Sequence, residues 1–180
     1  MAKRSAFARR KNDAYLTWDK RAVPPLLPYL DAAEFVEPCA GEGHLVDQLE
    51  AYGLRCVQAL DVEPGRADIE QGNACTLRVR PGLQVISNPP WSRPLLHAII
   101  ANLAPQAVTW LLFDADWLFT QQSAPYLQHL HLVVPVGRLR WVEGTPHDAV
   151  DSCAWYRFGP NAPPAPAIAP CLPRVVTSPD

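Results

Sequence analysis

The five cysteines of this 180-residue chain include no C-x-x-C pair, and no apolar run approaches the roughly 20 residues of a membrane span. An odd number of widely spaced cysteines excludes a disulfide framework and a thiolate zinc site. The five histidines show no ligand spacing either, so no metal is expected. The opening residues, MAKRSAFARRKNDAY, lack the apolar stretch of a secretory signal, so a soluble cytoplasmic protein without a membrane partner is expected. Neither charge sign dominates: 16 Lys plus Arg face 18 Asp plus Glu, and a net charge of -2 does not by itself suggest a nucleic-acid binder. There are no internal repeats.

An apolar fraction of 48% is present, enough to build one core and to exclude wholesale disorder. Positive charge gathers at the start, in Lys3, Arg4, Arg9, Arg10 and Lys11, as either a phosphate-seeking arm or a solvated tail. Seven of the 20 prolines fall from Gly159 onward, where they forbid a helix or a regular ladder. Three segments result: a basic arm over residues 1–12, a folded unit over 13–158, and an extended proline-rich tail over 159–180.

Within the folded unit, short apolar runs alternate with helical patterns. Strands are predicted at 33–37, 55–60, 83–87, 107–113, 130–136 and 153–158, and helices at 44–52 and 94–103. Short helical material is predicted at 117–127, and Trp110 and Trp155 read as core residues within their strands. Such alternation implies a mostly parallel sheet covered on both faces, with the last two strands as an antiparallel hairpin.

In such a sheet, ligands sit beyond the carboxyl ends of the strands. The first strand delivers Glu37-Pro38-Cys39-Ala40-Gly41-Glu42-Gly43, whose glycines permit tight turning and close approach of a ligand. Val46 stands where the third glycine of a dinucleotide loop belongs, which counts against a pyrophosphate cofactor and a nicotinamide oxidoreductase. Glu37 further disfavours phosphate and favours a positively charged ligand. Asp61, ending the second strand, can accept both hydroxyl groups of a ribose. S-adenosyl-L-methionine, with its sulfonium, ammonium and ribose groups, satisfies these conditions.

The third strand end carries Asn88-Pro89-Pro90-Trp91. Successive prolines stiffen the backbone and keep the Pro89 carbonyl out of regular structure. An Asn side-chain oxygen and that carbonyl are two fixed acceptors, suited to the two hydrogens of an exocyclic amine. Trp91 offers a face on which a base can stack. Acceptors on those protons stabilise the positive charge that develops as a conjugated amine attacks a methyl donor.

These residues give the chain its resemblance to the class I S-adenosylmethionine-dependent methyltransferases, and most of all to small phage-type DNA adenine N6-methyltransferases. The resemblance covers about residues 13–158 and implies a Rossmann-like α/β fold with a mostly parallel seven-stranded sheet. It also implies a bacterial or phage-encoded protein acting in the cytoplasm. By it, Asn88, Pro89, Pro90 and Trp91 are catalytic. Tyr15 and Thr17, in the upstream Asp13-Ala14-Tyr15-Leu16-Thr17 segment, contact the cofactor, as do Pro38, Cys39, Ala40, Gly41, Gly43, Asp61, Val62, Asn73, Ala74 and Asn88, together with Glu37. DNA is the implied partner, and the exocyclic N6 of adenine the implied target; RNA adenine, a protein glutamine amide, and a non-catalytic methyltransferase-like subunit remain alternatives. Between Trp91 and Arg138 there is no room for a separate target-recognition domain, so sequence reading falls to loops, to the basic arm or to a protein partner. Arg138 and Trp141 resemble part of a substrate-facing hairpin, or form a solvated hairpin with Trp141 packed on the core. Trp117 is placed at the substrate mouth.

Overall fold

The computed structural model describes residues 16–145 and 147–171. Tyr15 and the basic arm lie outside the described residues. Eight strands form one sheet: β1 (Glu34–Glu37), β2 (Arg55–Asp61), β3 (Glu70–Gln71), β4 (Gln84–Ser87), β5 (Thr109–Asp114), β6 (Leu130–Gly137), β7 (Cys153–Phe158) and β8 (Ala167–Ile168). Their spatial order is β3-β2-β1-β4-β5-β7-β6-β8. The first five pair in parallel, and β7 runs antiparallel to both β5 and β6. The order reverses between β1 and β4, the switch point beside which an open α/β sheet binds ligands.

Two α-helices fall where the apolar spacing predicts them: α1 (His44–Ala51) and α2 (Arg93–Leu103). Helix α1 buries Leu45, Val46 and Leu49, and Gly53 closes its C-terminal turn at φ +87°. Helix α2 begins with Pro94 in its first turn, where a missing N–H costs nothing, and buries Leu96, Ile99, Ile100 and Leu103. The sheet separates two apolar layers, one holding Phe35, Leu49, Trp110 and Trp155, the other Ile100, Phe113, Trp117 and Tyr156. None of the described helices is long and apolar enough to cross a membrane.

Three features depart from the sequence expectation. Strand β3 is two exposed polar residues that pair with the end of β2, too short for any periodicity to reveal. The stretch expected as short helical material is two 3-10 segments, Ala115–Phe119 and Gln121–His129, the second containing Pro125. The eighth strand comes from the proline-rich tail: Ala167 and Ile168 pair in parallel with β6, and the Ala169 N–H donates to the Val133 carbonyl at 2.9 Å. Residues 167–169 form the one run between Pro166 and Pro170 that keeps its N–H groups, which is why pairing starts and stops there.

Candidate cofactor and substrate site

Strands β1 and β4 lie side by side and end at Glu37 and Ser87, so the loops leaving them converge. Glu37 is fully buried. Its Oε1 accepts hydrogen bonds from the Ser87 hydroxyl at 2.5 Å and the Cys39 N–H at 3.0 Å, while Oε2 is buried with no hydrogen-bond partner. Burial pushes this carboxyl up to about 8; the two hydrogen bonds oppose the rise and the negative charge of Asp61 adds to it. A buried acid with an unused oxygen is an environment built to receive a cation or a donor.

That carboxyl lines a small, partly open pocket. Cys39, Ala40 and His44 come from the loop and the start of α1, Leu16 and Thr17 from the upstream segment, and Asn88 from the end of β4. The upstream segment is held against α1: Gln48 Nε2 donates to the Thr17 carbonyl at 2.5 Å, and the Trp18 ring lies 4.0 Å from that of His44. Thr17 is thereby 4% exposed, with its hydroxyl accepting from Asn88 Nδ2 at 3.1 Å.

Asp61 Oδ2 accepts from the Gly41 N–H and Oδ1 from the Glu63 N–H, both at 2.8 Å. The carboxylate thus ties the loop after β1 to the loop after β2, and the Gly65 N–H adds a bond to the Gly41 carbonyl. Asp61, Val62, Asn73 and Ala74, expected to contact the same ligand, are not among the residues lining this pocket. Asn73 is exposed and turns its side-chain oxygen to the Cys75 N–H, whereas Ala74 is buried in the apolar layer against α2. Gly43 also differs from expectation. At φ +83° it begins α1, and a Cβ there would stand 2.5 Å from the Arg66 guanidinium carbon, so its bare face accommodates Arg66. Arg66 bridges Asp47 and Asp68.

In the Asn88-Pro89-Pro90-Trp91 segment, Pro89 is buried and Asn88, Pro90 and Trp91 are half-buried. Trp91 packs edge to face on Trp141 with ring centroids 5.2 Å apart, so the hairpin after β6 reaches the β4 loop. The indole N–H of Trp141 is buried without a hydrogen-bond partner. Arg138 and Arg140 are both exposed; the Arg140 backbone N–H donates to Asp19 and its side chain to Asp148. Arg21 pairs with the same two carboxylates, so the hairpin and the upstream segment are stapled together.

Trp117 is not at the substrate mouth. It is fully buried against Phe113, Tyr156 and Phe158, with centroids 5.2, 5.3 and 5.9 Å away, and its N–H donates to His97 Nε2 at 3.0 Å. The ring packs into the aromatic stack that β5 and β7 build on one face of the sheet, which removes it from solvent. Sequence reasoning passed over Ser87 and His44. Each stands directly beside a residue singled out for the site, and that adjacency was the available signal.

No protein-family model matches the chain, and no curated protein matches it. Solved structures do. A protein described as a class I S-adenosylmethionine-dependent methyltransferase from Listeria monocytogenes aligns with a TM-score of 0.53 at 12% identity, over 82% of this chain and 61% of that one. The M protein of the type I restriction enzyme EcoKI aligns at 0.48 and 14% identity, over 85% and 46% of the two chains. An RNA methyltransferase from Pyrococcus horikoshii aligns at 0.49 and 14%, over 78% and 81%. The chain therefore spans less than two thirds of the length of the Listeria and EcoKI proteins. The first similarity shows the fold, the Rossmann-like sheet of the class I methyltransferases.

Proposed function

We propose that this protein is an S-adenosylmethionine-dependent methyltransferase acting on an exocyclic amino nitrogen, with adenine N6 in DNA as its substrate. The observation that carries this reading is that Asn88 lines the same pocket as the buried Glu37, whose Oε2 has no hydrogen-bond partner. A carboxyl that can pair with a cation and an amide that can accept from an amine, in one pocket, suit methyl transfer to nitrogen.

S-adenosylmethionine would supply the methyl group, on a positively charged sulfur. Glu37, Thr17, Cys39 and Ala40 would hold the methionine end, and Glu37 would offer charge compensation inside the pocket. The ribose would fall to Asp61, which keeps a second lone pair on each oxygen beyond its bonds to Gly41 and Glu63. Val62 and Asn73, on the loops after β2 and β3, would then lie along the adenosine end, and Ala74 would back them from the apolar layer. Asn88 Oδ1 and the Pro89 carbonyl would accept the two hydrogens of the target amine, favouring the attacking geometry and stabilising the charge that grows on nitrogen. Pro90 fixes that carbonyl by continuing the rigid turn. Trp91 and Trp141 would wall a flipped base, and exposed Arg138 would meet a phosphate.

Two measurements test this. Purified protein incubated with labelled methyl donor and adenine-containing DNA should place label on adenine N6, and base analysis of DNA from expressing cells should give the same product with its sequence context. Label found only in RNA or on protein glutamine would transfer the assignment to those substrates. Label in no acceptor, despite cofactor binding, would overturn it. The Asn88→Ala variant should still bind the cofactor while losing turnover, by about two orders of magnitude, the scale of losing one preorganised hydrogen bond to the charge that develops in the transition state.

A further inference from the structure

We infer that Trp91 acts through its indole N–H as the residue that orients the Asn88 amide, in addition to any stacking by its ring. This inference rests on the proposed amino-methyltransferase function. The indole N–H donates to two oxygens, Asn88 Oδ1 at 3.3 Å and the Leu112 carbonyl at 3.2 Å. Leu112 stands one residue beyond the last paired position of the β4–β5 ladder, Ser87 opposite Leu111, so Trp91 takes up a strand carbonyl just past the end of β4. The ring is held from the other side by its edge-to-face contact with Trp141.

The chemistry follows from donor inventory. An amide can point either its oxygen or its NH2 at a neighbour, and the two orientations have opposite meanings for an amine-binding site. Thr17 does not decide between them, because a hydroxyl both donates and accepts. An indole N–H only donates, so the atom of Asn88 that faces Trp91 must be the oxygen. The NH2 then falls on the Thr17 side, where it donates to Oγ1 at 3.1 Å. An amide oxygen has two lone pairs, so the bond to Trp91 does not by itself use up its capacity to accept. Phenylalanine at position 91 would stack equally well but set no orientation, and a tyrosine hydroxyl, which accepts as well as donates, would not discriminate. Trp91 is thus a positioning residue as well as a wall of the substrate site.

The test compares steady-state methyl transfer to adenine-containing DNA by the full chain and by two replacements. One is Trp91→Phe; the other is benzothienylalanine at position 91, which keeps the bicyclic ring and its packing on Trp141 but exchanges N–H for sulfur. Both should lower kcat at least about tenfold while KM for DNA and the affinity for S-adenosylmethionine stay within about twofold, the pattern of an interaction that acts in the transition state. Should Trp91→Phe fail to fold, the sulfur isostere alone decides. Unchanged kcat with either replacement, while Asn88→Ala is inactive, overturns the orienting role and leaves the methyltransferase reading intact. A raised KM at unchanged kcat does the same, assigning Trp91 to stacking alone. Absence of methyl transfer by the unaltered protein overturns both.

Discussion

The carboxyl of Glu37 and the hydroxyl of Ser87 share one hydrogen bond across the ends of β1 and β4, 50 residues apart in sequence. Through it the loop proposed to hold the methyl donor and the segment proposed to grip the acceptor are joined by neighbouring strands. The bond reaches one oxygen only, and the other stays without a hydrogen-bond partner in the pocket.

Stability should report on Glu37 directly. Its carboxyl titrates at about 8 in the folded protein, chiefly through burial, against an ordinary value of 4.5. Between these values the folded state holds the extra proton, so this group's contribution is fully present below the ordinary value and is lost as pH rises through 8. Denaturant unfolding of the ligand-free protein should therefore show stability falling with pH across that window. The Glu37→Gln variant should flatten the dependence, and an unchanged profile would contradict it.

Cofactor affinity should move the opposite way. A cation is bound best by the ionised carboxyl, so S-adenosylmethionine affinity should rise with pH by up to about tenfold per unit below the Glu37 midpoint and then level off. Calorimetry in buffers of different ionisation enthalpy should register proton release on binding. Ser87→Ala removes a hydrogen bond that lowers the midpoint, so the whole curve should shift to higher pH.

Gly43→Ala should destabilise by about 1–2 kcal/mol, the cost of a side chain in the left-handed region, with the Arg66 guanidinium displaced by a flexible swing. Thermal or denaturant melting measures it. A neutral result would mean that α1 starts differently.

Trp117→Ala should cost about 3–5 kcal/mol of stability, as expected for emptying a fully buried aromatic site. Were Trp117 a substrate contact, the same change would leave stability nearly intact and raise KM for DNA. Unfolding and kinetics on one preparation separate the two.

The contrast between Trp117 and Trp91 shows what the sequence makes legible. Strand ends, the Glu37 to Gly43 loop and the Asn-Pro-Pro-Trp segment are local patterns, and the strands and two α-helices that present them follow from apolar spacing. A tryptophan after a strand looks the same whether it faces solvent or core. Partners such as Tyr156 and Phe158, some 40 residues downstream, help decide that Trp117 is buried. In the same way Leu112 determines which way the Trp91 indole faces. Strand β3 was illegible because two exposed polar residues carry no hydrophobic signal.

Strand β8 bears on how a second molecule could join this one. An uncovered β6 would present a row of unsatisfied backbone groups, the usual template for edge-to-edge assembly. Ala167 and Ile168 cover that row opposite Leu132 and Val133, and Pro166 and Pro170 bracket them with residues that cannot donate a ladder hydrogen bond. The tail thus blunts the middle of this margin, where an added strand from a second molecule would otherwise find its register.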